Sequence, residues 1–207
     1  MITLEQNPRI FDPSSEYYIT LAATRDTLID TDVYSRFIHS GENNFRKGLF
    51  YRSYKNFLMR LGFNRDQNMP GITSEMANIE LHHHFPTLKQ AAIMITESLL
   101  NTKGCASTFE VVQLLECAHR NNWFSVIFLS QTQHESFHSD PSNFISLKQC
   151  IGNGWMFIDS YKNGMTMDIA FKLLLQLKLE EQYGESFSPN LVKARETIKD
   201  WSIRNSY

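Results

Sequence analysis

Two groups of histidines carry the side chains best suited to chemistry in this sequence. The first is the triplet in ELHHHFP, residues 80–86, and the second is the pair in HESFH, residues 134–138. Neutral imidazole is a good ligand for zinc-like metals and a suitable general base near pH 7. Together the two groups indicate a metal-dependent hydrolytic site.

The stretch HESFH has the spacing His-Glu-x-x-His, which in zinc proteases places two metal ligands and a general base on one helix. His134 and His138 are four residues apart, so on a helix they project from one face. Glu135 would then be the base. The helix must be short, because Asp140-Pro141 ends it soon after His138. The short helix counts against a zinc metalloprotease, which is kept as the second alternative.

The elements that position these histidines are two strands and a short helix. IELHHHF at 79–85 and WFSVIFLS at 123–130 predict strands, and HESFH follows the second strand. Strict alternation along the first strand places Glu80, His82 and His84 on one face, so His84 is an alternative to His82 as a ligand, and His82-His83 is preferred because only that pair places Pro86 correctly. Between the strands, residues 87–122 have helical periodicity and predict a pair of helices, the first beginning at a capping box of Thr87 and Gln90.

This order of motifs resembles that of the HNH, or ββα-metal, endonucleases. His82-His83 followed by Pro86 matches the strand motif of the family, and His134 with His138 matches the helix histidines of its colicin-type members. The resemblance implies that His82, His134 and His138 bind the metal and that His83 is the general base. It also implies a metal-dependent endonuclease that hydrolyses phosphodiester bonds of DNA.

The sequence departs from the family in two places, and its wider likeness is to phage proteins. A helical pair occupies residues 87–122, where most relatives have a loop, and Ser125 stands where the family usually has an Asn that orients the base. These departures favour an alternative, a catalytically weak HNH-fold protein that uses its metal for stability or DNA binding. The run from LMRLGF to YKNGMTMDIAFKLL resembles HNH-type proteins encoded by bacteriophages, which implies a phage origin.

The expected fold is α+β and mostly helical, with a ββα-metal element interrupted by a helical insertion. The expected divisions are an N-terminal segment with a basic aromatic helix, the HNH-like core and a C-terminal helical region, at residues 1–77, 78–140 and 141–207. Helices are predicted at 44–61, 153–162, 166–182 and 189–204. Three imidazole ligands favour Zn²⁺, Ni²⁺ or Mn²⁺, and Mg²⁺, which prefers oxygen, is the less favoured metal.

A basic and aromatic stretch, residues 33–60, offers a second kind of site. It holds six cationic residues against one acid, with seven interleaved aromatics. Arg46, Lys47, Arg52 and Lys55 are predicted to follow DNA phosphates, with aromatic rings available for stacking. The same pattern is also typical of an amphipathic helix with a solvated basic face.

Composition sets the remaining expectations. The chain has 207 residues, 42% of them hydrophobic, and a net charge of −2, so it can bury a core and has no global basic signature. Its three cysteines have no C-x-x-C spacing, which suits a reducing compartment. We find no signal peptide and no membrane-spanning run, and therefore expect a protein of the host cytoplasm. The sequence does not predict the oligomeric state.

Overall fold

The computed structural model describes residues 22–139, 144–184 and 189–204, without the side chains of His138, Ser139 and Pro189. The described chain is mostly helical with two small sheets, which confirms the α+β class. Its strands are β1 (Ala23–Thr24), β2 (Ile79–Phe85), β3 (Cys105–Ala106) and β4 (Ser125–Ser130). Its helices are α1 (Thr31–Lys47), α2 (Leu49–Arg60), α3 (Leu88–Lys103), α4 (Thr108–Arg120), α5 (Gln131–Ser139), α6 (Gly154–Tyr161), α7 (Met167–Tyr183) and α8 (Pro189–Arg204).

The antiparallel pair of β2 and β4 lies at the centre of the fold. The register places His82 opposite Ile127 and His83 opposite Val126. Helix α5 begins directly after the last residue of β4, so two paired strands and a helix follow in the predicted order. Helices α3 and α4 form the insertion between the strands, as the sequence predicted.

The inserted helices begin and end where their sequence indicates. Thr87 and Gln90 form the predicted capping box at the start of α3. Gly104 ends that helix in the left-handed region, with φ of 75°, where glycine has no Cβ to strain. Ser107 then caps α4 by accepting from the backbone of Glu110. The helices of the insertion are therefore encoded locally.

The predicted helix over 44–61 is wrong in its bounds. The chain forms two helices there, α1 and α2, because Gly48 between them adopts an extended conformation with φ of −63° and ψ of 151°. The residues at helical spacing, from Phe50 to Leu61, all follow Gly48, so the pattern did not show the break. Helix α1 begins at Thr31, capped by Asp30, well before the predicted start.

One buried hydrophobic cluster runs from Ala23 to Ile198 and takes side chains from all three predicted segments. Helix α1 packs on α3 and α4, and α7 packs on α8. The predicted N-cap of the last helix, Ser188, lies outside the described residues. No helix within the described ranges is both long and apolar enough to cross a membrane.

The loop before β2 is tied to the end of β4 by the buried carboxylate of Asp66. One oxygen accepts from the backbone N–H groups of Asn68 and Met69, at 2.9 and 2.8 Å. The other accepts from the N–H and the hydroxyl of Ser130, at 2.8 and 2.7 Å. Because Ser130 is the last residue before α5, Asp66 fixes the point from which that helix leaves the sheet.

Candidate functional site

Glu80, His82 and His134 meet on the face of β2 next to α5. The ring centroids of His82 and His134 lie 4.9 Å apart. The Nδ1–H of His134 donates to Glu80 Oε2 at 2.6 Å. His84, on the same face of the strand, has its ring centroid 5.9 Å from that of His82. The face predicted from strict alternation is thus confirmed, and two of the three predicted metal ligands lie side by side.

Glu80 is a site residue that the sequence analysis did not identify. A carboxylate that accepts from Nδ1 of a histidine fixes the tautomer and orientation of the ring, and directs a metal to Nε2. The two residues are separated by 54 positions, so spacing gave no signal of their contact. The only indication was that Glu80 shares a strand face with His82.

The third predicted ligand, His138, lies one helical turn after His134 on α5, and its side chain is outside the described structure. Among the described side chains, no group of three histidine, cysteine or carboxylate residues is placed to hold a metal ion. The three-histidine metal site therefore stays a prediction. The imidazoles of His82 and His134 are suitable donors for such an ion, and the carboxylate of Glu80 orients the ring of His134.

If this cluster binds a divalent transition metal, replacing its orienting carboxylate should weaken the binding. We expect Glu80→Gln to lower Zn²⁺ affinity about 10- to 100-fold, because the ring of His134 loses its fixed tautomer. Competition of the protein with a chromophoric chelator measures the affinity. Glu135→Gln is the matched control, since the exposed Glu135 carboxylate accepts from Gln131 at 2.9 Å. Equal affinities of the wild type and Glu80→Gln would contradict this role.

His83, the predicted general base, lies on the opposite face of β2 and is only 4% exposed. Its Nε2 is 2.8 Å from Nε2 of the fully buried His119. His119 Nδ1 lies 2.6 Å from the carbonyl oxygen of Leu115, which can only accept, so that nitrogen carries the hydrogen. His119 Nε2 is then the acceptor and His83 Nε2–H the donor.

The tautomers leave Nδ1 of His83 as the basic nitrogen, and it is buried without a hydrogen-bond partner among the described residues. A general base must come within hydrogen-bond reach of the water that it activates. In this structure that nitrogen is buried, and the ring of His83 lies beside the rings of His119, Tyr51 and Phe124. Ser125, which stands where the HNH endonucleases usually have an Asn, accepts from the N–H of Gly154 at 3.2 Å.

Burial keeps both rings of this pair neutral. It lowers the pKa of His119 to about 4, an effect that the hydrogen bond to Leu115 opposes and the charge of Arg46 reinforces. Burial, followed by the charge of His119, lowers the pKa of His83 well below its ordinary value. The folded protein therefore binds fewer protons at these rings than the unfolded chain does.

The stability of the protein should fall in mild acid because of this pair. Above about pH 6.5 both states are neutral, and the contribution of His119 is fully present. As the pH falls towards 4 the unfolded chain takes up the proton first, and at about pH 5 His119 alone accounts for a loss of about 2 kcal/mol. Urea unfolding at about pH 7 and at about pH 5 should show a smaller loss of unfolding free energy for His119→Gln than for the wild type. An unchanged loss in His119→Gln, or an equal reduction in the exposed control His39→Gln, would contradict the assignment.

The four predicted phosphate contacts are distributed over two helices. Arg46 and Lys47 are exposed at the end of α1, where Arg46 also lies 3.8 Å from the carboxylate of Glu42. Arg52 is exposed on α2 and Lys55 is half-buried on the same helix. Their role in binding nucleic acid stays a prediction.

Comparison with known proteins identifies one family. The sequence model of the family described as Bacteriophage G278-like virion protein matches residues 3–200. No curated protein and no solved structure is significantly similar to the chain.

Proposed function

Because the chain belongs to the bacteriophage G278-like virion protein family, we propose that the protein is a component of a phage particle, made in the host cytoplasm before assembly. The observation that carries this proposal is the match over residues 3–200, which includes every described element up to α7 and most of α8. The proposal therefore concerns the whole fold and not one appended segment.

Purified particles test this proposal. Particles banded by density and washed with high salt and nuclease should retain the protein at a constant ratio to the major capsid protein, as measured by quantitative mass spectrometry. Retention after both washes would separate a built-in component from a protein that adheres to particles or to released DNA. Its presence in the lysate and its loss from the washed particles would contradict the proposal.

We also propose a second function, metal-dependent cleavage of DNA. The observation that favours it is the β2–β4–α5 arrangement, which brings His82 next to His134. His82, His134 and His138 would hold the ion, and Glu80 would orient His134. A bound divalent metal would stabilise charge on the phosphate and on the leaving oxygen. A nuclease carried in the particle would satisfy both proposals.

The burial of His83 favours the catalytically weak alternative within this second proposal. His83, the base that the resemblance to HNH endonucleases implies, is hydrogen-bonded to His119 in the core, and Ser125 accepts from the N–H of Gly154. A protein of this kind would keep the metal for stability or DNA binding and cleave slowly or not at all. Plasmid nicking by metal-stripped protein, with Mg²⁺, Mn²⁺, Ni²⁺ or Zn²⁺ added back, separates the two hypotheses.

A further inference from the structure

An open groove of about 580 Å³ lies between α2 and α4, on a part of the surface that neither proposed function uses. Two large apolar side chains at this groove are well exposed, Leu49 at 77% and Phe57 at 57%. The residues that line the groove are Leu49, Phe50, Ser53, Tyr54, Phe57, His119, Arg120 and Asn122. We call this surface the α2–α4 groove.

The α2–α4 groove presents flat π surfaces that are already arranged. The guanidinium of Arg120 lies over the ring of Phe50, 4.6 Å from its centroid. Phe50 and Tyr54 are nearly parallel, with an interplanar angle of 17° and centroids 6.0 Å apart. A guanidinium plane and an exposed aromatic ring are both surfaces on which an unstacked base can lie.

Cations flank these π surfaces. Helix α2 carries Arg52, Lys55 and Arg60 and no acidic residue. Arg60 follows Phe57 by three positions and so lies on the same face of the helix. On α4, at the other side of the groove, the side chain of Arg120 is 66% exposed, and the carboxylate of Glu116 lies 3.9 Å from its guanidinium. Arg52 and Lys55 are not lining residues of the groove, so its cations are Arg120 and Arg60. Apolar rings with two arginines beside them match the chemistry of a polyanion with flat apolar groups.

We propose that the α2–α4 groove binds single-stranded nucleic acid. Bases stack on Phe57 and on the plane of Arg120, and a phosphate contacts Arg60. A single strand fits better than a duplex because only unpaired bases offer their faces to side chains. Cationic walls distinguish this occupant from an apolar protein surface such as a second copy of the chain.

The groove is separate from the candidate metal centre. His119, which lines the groove, is hydrogen-bonded to His83, and His83 alternates with His82 across the plane of β2. A strand held in the groove is therefore on the other side of β2 from His134. Binding in the groove needs no metal, so it is measured in EDTA, which should leave it unchanged. Failure of the endonuclease proposal would not affect this result.

Fluorescence anisotropy with a labelled oligothymidylate of roughly 16 nucleotides tests the proposal. We expect Phe57→Ala to raise Kd about 5- to 100-fold, the range for the loss of one base-stacking contact. Phe171→Ala, an aromatic that is 69% exposed on α7, is the matched control and should leave Kd unchanged. The exposed Phe57 can be replaced without opening the core, and circular dichroism checks that the variant is folded.

Two arginine variants separate stacking from charge. Arg120→Lys keeps the charge but loses the plane, so it should weaken binding with the salt dependence unchanged. Arg60→Gln should reduce the slope of log Kd against log salt by about 0.7, the value for one phosphate contact on a single strand. Lys199→Ala, on α8, is the charge control and should change neither quantity.

Three results would overturn the proposal. One is a Phe57→Ala variant that binds the oligonucleotide as tightly as Phe171→Ala does. Another is duplex DNA of the same length that binds in EDTA as tightly as the single strand and loses the same affinity in Phe57→Ala. The third is self-association of the wild type in sedimentation that Phe57→Ala abolishes while oligonucleotide binding persists, because the groove would then hold a second copy of the chain.

Discussion

DNA cleavage should fall about 10²- to 10⁴-fold in His83→Ala and remain mostly intact in Glu135→Gln, if the protein is an endonuclease of the type that the histidine motifs resemble. The factor is the usual cost of losing a general base. Single-turnover cleavage of supercoiled plasmid with saturating metal measures it. In the protease hypothesis the dependence is reversed, because Glu135 would then activate the water and His83 would contribute little to peptide hydrolysis.

His119→Ala is the control that this experiment needs. It disrupts the same buried pair as His83→Ala but removes no predicted base. A loss that comes from disturbed packing should therefore appear in both variants, whereas a loss of the base appears only in His83→Ala. Retained metal affinity in both variants would exclude damage to the His82–His134 cluster.

Two outcomes would assign the buried pair a structural role. The first is cleavage of DNA by His83→Ala at the wild-type rate, which would place the base elsewhere. The second is tight metal binding by the wild type without cleavage in any metal. That result would support the catalytically weak alternative, and it would point to Ser125, which accepts from Gly154 and stands where the HNH endonucleases that the histidine motifs resemble usually have an Asn.

The second large effect concerns stability. We expect Asp66→Ala to lower the free energy of unfolding by about 3–5 kcal/mol, because the N–H and hydroxyl of the buried Ser130 lose their acceptor and the loop N–H groups of Asn68 and Met69 lose theirs. Asp66→Asn should lose less, since an amide oxygen can still accept. Urea denaturation at neutral pH measures the difference.

Asp159→Ala is the matched control for Asp66. The Asp159 carboxylate is 42% exposed and pairs with Lys162 at 2.8 Å on α6. Exposed pairs of this kind contribute about 0–1 kcal/mol. A similar small loss in Asp66→Ala would mean that the loop does not anchor the end of β4. If the anchor acts as described, Asp66→Ala should also weaken metal binding, because α5 starts at the residue after Ser130.

The elements around the candidate site were predictable because their signals are local. The alternation in IELHHHF, the apolar run before HESFH and the capping box at Thr87 each lie within a few residues of one another. Together they predicted β2, β4, α5 and the inserted helices in the right order. Alternation also predicted correctly that Glu80, His82 and His84 share a face.

What the sequence did not predict depends on contacts between distant residues or on a single backbone conformation. Glu80 meets His134, and His83 meets His119, only after β2 and β4 pair and α4 packs against them. Asp66 finds Ser130 across 64 positions. The break at Gly48 is a choice of ψ at one residue, and the periodic residues that predicted a helix, Phe50 to Leu61, all lie after it.

The insertion of α3 and α4 between the paired strands has a consequence for synthesis of the chain on the ribosome. β2 is translated well before β4, while the helices between them form mainly from contacts near in sequence. Until Ser125 and the residues after it emerge, the strand Ile79–Phe85, which carries the apolar side chains of Ile79, Leu81 and Phe85, has no partner for its backbone groups. Unpaired apolar edges of this kind template aggregation. Chains truncated between α4 and β4 should therefore collect in inclusion bodies, and slow translation through residues 86–124 should lower the yield of folded protein.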